Sequence, residues 1–193
     1  MYINPYNIEK GLCNLLEANK DKIQEIIKAF YGSKTDKKLH IFKSVMPSLQ
    51  QQYFPSLEME PTSIDNKWIT TEAEYCTYSI KFILTVNFEK NELATNLLST
   101  LARSIIEIFT YPSNRCFKIP NEIIWNPVTR NYVDAWVQYG DVTGLQFGSI
   151  KGGTVRRAQW TWTGEVIEGY DYEWYHNHDI DKIPDVPHPE PQK

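Results

Sequence analysis

The chain has 193 residues, a formal charge of −4, 41% hydrophobic and 13% aromatic residues. This length predicts one domain with a core that needs neither disulfide nor metal. The weak acidity excludes nucleic-acid binding through a basic surface, and no apolar run reaches membrane-spanning length.

Asn4, Pro5 and Asn7 are helix-start signals, because a short polar side chain can cap the first turn and proline fits its first position. Ile8, Leu12, Leu15, Leu16, Ile23, Ile26, Ile27 and Phe30 then mark a long amphipathic helix over 6–31. Gly32 suits its C-terminal end, and the polar stretch 19–22 allows a break. Cys13, Cys76 and Cys116 are odd in number and widely spaced. They predict reduced thiols and cytosolic synthesis, with Cys13 and Cys76 buried. The first five residues lack the basic and apolar regions of a signal peptide.

Residues 33–38 form a charged loop, 39–45 a short strand and 47–52 a loop. Residues 55–64 alternate weakly, and Pro61 places them at a sheet edge or a strand end. Asp65-Asn66 is a turn signal. Residues 67–86 then form one long strand, kinked near 72–74 and paired back on 55–64. Its clearest part carries Cys76, Tyr78, Ile80, Phe82, Leu84 and Val86 on one face, at a period of two. From Glu92 the period changes. Leu93, Leu97, Leu98, Leu101, Ala102, Ile105, Ile106 and Phe109 make one stripe of a helix. Asn91 is its expected N-cap, and Pro112 ends it.

Beyond that helix, 117–120 and 122–125 read as short strands interrupted by proline. A better strand spans 132–139, with Val133, Ala135, Val137 and Tyr139 on one face. Another spans 154–167, with Ala158, Trp160, Trp162 and Val166 on one face. Between them, Gly140, Gly144, Gly148, Gly152 and Gly153 are five of the nine glycines. That segment is a mobile loop or a smaller hairpin carried on the larger one. Past Gly169 the chain is aromatic and acidic, then rich in proline. From Glu165 onward eight acids face two lysines. The expected class is therefore α+β. An antiparallel sheet of mixed strand lengths carries two long amphipathic helices over 1–169, with a glycine-rich insert and an extended arm over 170–193.

Chemistry is scarce. His176 and His178, with Asp179 and Asp181 following, form the best set of metal-type donors, but on a tail without a rigid scaffold. Residues 148–154 lack the spacing of a phosphate loop. Glu72 and Glu74 read as a solvated strand face. Arg156 and Arg157 point to opposite faces of a strand. No catalytic residue, cofactor or metal is expected. The candidate partner-binding residues are Gly140, Gly144, Gly148 and Gly152 of the insert and Tyr170, Tyr172, Trp174 and Tyr175 of the arm. Glycine is costly to order and aromatic side chains are good anchors, so both segments suit ordering on contact with a neighbour.

The arrangement of 7–30, 75–86, 92–110, 133–139 and 155–167 resembles the tail-terminator proteins of long-tailed bacteriophages. It covers residues 5–168 as an order of elements, to which this chain adds the insert and the arm. The resemblance implies a virion protein made in the host cytoplasm and placed at the tail–neck junction. It implies a homo-oligomeric ring, a hexamer, on the last ring of the tail-tube protein. Its other face would meet a neck or connector protein, with DNA passing the pore without specific binding and no membrane involved. Two other classes stay open from the residues: another neck, head-completion or baseplate joining protein, and a small α+β enzyme or ligand-binding domain.

Overall fold

A computed structural model describes residues 3–44, 53–70, 73–88, 90–126, 131–149 and 155–169, with side chains except at 66–75 and 168–169. Its helices are α1 (Pro5–Ala18), α2 (Lys20–Tyr31) and α3 (Asn91–Thr110). Its strands are β1 (His40–Phe42), β2 (Ser56–Thr70), β3 (Ala73–Asn87), β4 (Phe117–Asn126), β5 (Asn131–Ser149) and β6 (Val155–Gly169). The fold is α+β. One six-stranded sheet runs in the order β1-β2-β3-β6-β5-β4, antiparallel except for the parallel β1–β2 pair.

The first helix divides in two. Asn19 sits at the join, where its Nδ2 donates to Leu15 O at 2.8 Å and its N–H to Leu16 O at 3.1 Å. These bonds satisfy carbonyls that a continuing helix would have used, so the axis breaks there. At the start of α1, Asn4 Oδ1 accepts from Tyr6 N–H at 3.0 Å and Pro5 occupies the first turn, as expected. The α3 cap differs from expectation. Lys90 O already accepts from Ala94 N–H at 2.9 Å, so Asn91 lies inside the helix and Lys90 holds the cap position without a side-chain bond.

All six apolar residues expected on the inner face of β3 are buried, as are Ala158, Trp160, Trp162 and Val166 of β6. They meet Leu97, Leu98, Leu101, Ala102, Ile105 and Phe109 of α3 in a single core. Each such aliphatic side chain contributes roughly 1.5–3 kcal/mol by leaving water. Phe82 anchors the centre: its ring stacks on Trp160 at 5.6 Å and tilts against Phe109 at 5.1 Å. The α3 stripe is turned slightly from the expected one. Ala94 and Ile108 are buried, Ile106 is half-buried and Leu93 is exposed. α1 packs on β4 and α3, and α2 on α3, so all three helices cover one face in a two-layer arrangement.

The first hairpin also departs from the sequence reading. Asp65 and Asn66 do not turn; they pair with Thr77 and Cys76. The reversal comes later, between Thr70 and Ala73, so 67–70 belongs to β2 and not to β3. Pro61 is accommodated because β1 reaches only to Glu58, which leaves this part of β2 at the sheet edge beside a register shift. The two short strands expected before and after Pro120 are one strand, β4, irregular between Lys118 and Ile123 with Asn121 at φ 62. The glycine-rich segment continues β5 to Ser149, paired with β6 from Arg156 onward. It is a hairpin extension as far as it is described.

Candidate functional site

The two faces of the sheet end differently. The helices cover the inner face. On the outer face at the β1 side, Tyr53 makes edge contacts with His40 and Phe42. Nearby, Ser56, Glu58, Ile83 and Thr85 are buried. On the β4–β5 side the outer face is open. Ile123, Tyr132, Trp136, Tyr139 and Ile167 are 38–51% exposed there, and Trp125 is half-buried with its ring against Tyr132 at 5.3 Å.

Register places these side chains together. Trp125 pairs with Tyr132, Ile123 with Asp134 and Lys118 with Trp136. One step beyond the Val137–Val166 pair lie Trp136 and Ile167. Between Val137 and Tyr139 the register shifts by one residue. That bulge moves Tyr139 off the inner face, where strict alternation would put it with Ala135 and Val137, and onto the outer one. The expected grouping of Val133, Ala135, Val137 and Tyr139 is thereby corrected at Tyr139.

Charged groups border the aromatic row. Lys118 Nζ lies 2.7 Å from Asp134 Oδ2, an exposed pair worth about 0–1 kcal/mol. Arg115 is held from three sides. Its Nε donates to Thr110 O at 2.8 Å, its Nη1 to the Tyr139 hydroxyl, and its Nη2 lies 3.8 Å from Asp141 Oδ1. The guanidinium carbon also lies 5.2 Å from the Tyr139 ring centroid. A cation at the C-terminus of α3 is favoured by the helix dipole, and here it fixes Tyr139 in the row.

The insert glycines do different things. Gly140 is buried and pairs with Gly164 under the indole of Trp162. A Cβ on Gly140 would meet that ring at 2.9 Å, and one on Gly164 at 2.0 Å. Gly140 therefore makes room in the core. Gly144 has φ +70 beside the register shift between Thr143 and Gln146, a backbone conformation that glycine adopts without penalty. It and Gly148 meet nothing within 4 Å of a built Cβ, and Phe147, between these two glycines, is 53% exposed. Gly152, Tyr170, Tyr172, Trp174, Tyr175 and the His176–His178 pair lie outside the described residues.

Among the described residues no three His, Cys, Asp or Glu side chains converge as metal ligands, and no helix is long and apolar enough to cross a membrane. Cys13 is half-buried, Cys76 buried and Cys116 exposed, all three unbridged. Glu9 on α1 is buried, and burial pushes its carboxyl up to about 7 against the opposing pull of Lys43. A shallow groove between α2 and α3 is lined by Ile26, Ser99, Thr100, Arg103, Ser104 and Glu107, with Lys22 bonded to Glu107 at 2.7 Å. Neither place gathers a nucleophile and base. Sequence reading missed the open face because its members come from three strands whose pairing the alternation pattern does not specify.

No family model matches the chain, and no curated protein matches it. Among solved structures, the chain is similar to one in the virion of a native gene transfer agent particle. The TM-score is 0.45 at 8% identity, over 81% of this chain and 91% of that one.

Proposed function

We propose that this protein is a virion structural component, a tail terminator that caps the tail tube as a six-membered ring and joins it to the neck. The observation that carries this reading is the open outer face of β4, β5 and β6. A closed helix-backed core on one side and an aromatic row on the other suit a subunit whose work is done through contacts. Contiguous exposed apolar surface of this kind marks interaction sites, and Trp and Tyr are favoured at interface centres. The β5–β6 hairpin, with Gly144, Phe147 and Gly148 exposed, supplies a second contact element toward an adjacent subunit or ring. Gly152 and the aromatic residues Tyr170, Tyr172, Trp174 and Tyr175, expected from the sequence to bind partners, extend the same role. The resemblance of the order of elements to the tail terminators supports the choice of partners: the tail-tube protein on one side and a neck protein on the other.

The test is assembly. Full-length protein mixed with tail-tube protein should form rings of six at tube ends, seen by negative-stain microscopy, and tubes should stop lengthening. Tubes that grow at the same rate with bare ends would overturn the reading.

A further inference from the structure

We propose that the groove between α2 and α3 is a second contact surface, which takes a carboxylate from an adjacent copy of this chain. The proposal rests on the ring reading above and names a surface that builds the ring. The groove runs along one side of α3. Leu93, Thr100, Ser104 and Glu107 follow one another there at helical spacing, with Arg103 beside them and Ile26 of α2 across from them.

Two of these side chains lack the partner their chemistry calls for. Ser104 is only 6% exposed, and its Oγ has no hydrogen-bond partner among the described residues. A buried hydroxyl in that state is destabilising, and an acceptor arriving beside it relieves the penalty. Arg103 is exposed, and no carboxylate among the described residues is paired with it. Glu107, one turn further on, is engaged instead by Lys22 at 2.7 Å. The groove therefore sets Arg103 and Lys22 against one anion, with hydroxyl donors from Thr100 and Ser104. This set suits a carboxylate, which a guanidinium fork holds through two parallel N–H···O bonds.

One arginine in an open groove holds a free ion weakly, because water competes for every donor. The carboxylate must come on a larger body that excludes that water. Leu93, 37% exposed, and the half-buried Ile26 give such a body apolar ground beside the arginine. An adjacent copy fits for two reasons. It carries a net charge of −4, and its open sheet face presents Asp134 and Asp141 with side chains 50% and 43% exposed. The groove and that sheet face also lie on opposite sides of the two-layer fold. Contact between two different patches repeats head to tail from subunit to subunit, which is the kind of contact that closes a ring.

The test uses the full-length chain alone, in sedimentation velocity over a range of concentrations. The wild type should self-associate. Arg103→Glu should weaken that association about tenfold. Ser104→Ala should weaken it severalfold without lowering the melting temperature, because it removes a hydroxyl that has no partner in the free subunit. Lys34→Glu, the same charge reversal at an exposed position outside the groove, should associate as the wild type does. A wild type that stays monomeric throughout would overturn the proposal. So would Arg103→Glu or Ser104→Ala protein that associates normally, or Lys34→Glu protein that loses association equally. No tail-tube protein is present, so self-association through the groove and capping of the tube succeed or fail separately.

Discussion

Leu101 and Phe82 lie in one core, and that pair was legible from periodicity alone. Leu101→Ala should cost roughly 2–5 kcal/mol, measured by denaturant unfolding; a loss under about half a kcal/mol would mean that the α3 stripe faces elsewhere. The roles of the glycines were not legible, because a glycine that makes room for a ring looks in sequence like one that loosens a loop. Gly140→Ala would push its Cβ into Trp162, at 2.9 Å, and should cost about 1–3 kcal/mol. Gly148→Ala meets nothing within 4 Å and should leave the unfolding midpoint nearly unchanged. Glu9 was equally hidden among the apolar positions of α1. Burial raises its carboxyl from the ordinary 4.5 to about 7, so the folded protein keeps a proton that the unfolded chain releases. Stability then falls as pH rises from about 4.5 to about 7, and the whole penalty remains above that. Glu9→Gln should flatten this fall, by something on the order of 3 kcal/mol between the two ends. Parallel pH profiles for the two proteins would show that Glu9 ionises freely.

Elements were legible where one residue pattern decides them, and less so where a partner does. The helices and the inner faces of β3 and β6 follow from spacing, since those residues are buried whatever lies beside them. Three features did not follow. The Asp65-Asn66 signal is overridden because β3 pairs through it. The parallel β1–β2 pair joins segments whose contact no alternation specifies. The bulge at 137–139 reverses the face of Tyr139 and so hides the aromatic row. The docking of α1 also depends on a distant residue. Glu122 Oε1 on β4 accepts from Asn4 N–H at 3.1 Å and from Asn7 Nδ2 at 2.7 Å. A carboxylate there satisfies first-turn donors and complements the helix dipole. Glu122→Ala should cost about 1–2 kcal/mol and speed exchange at the start of α1 selectively. A uniform change across the protein would mean that the contact does not act on α1.

At the scale of the molecule, one face of the sheet carries the core, and the other is exposed on its β4–β5 side. Among the described residues the buried hydrophobic side chains lie between Ile3 and Val166, and residues 170–193 are proposed to act through contacts with neighbours. Deleting them should leave the melting temperature within a few degrees and weaken ring formation or attachment to the tail; a large loss of stability would place the arm in the domain's own core. The α+β class was legible in the sequence, through the two periods. The location of the contact face was not, since it depends on register. The proposed role is tested most directly by cryo-electron microscopy of a tailed particle assembled with this protein. Six copies are expected in a ring between the last tube ring and the neck, with Trp136 and Tyr139 covered. A chain found elsewhere in the particle, or a ring that leaves that face in solvent, would contradict it.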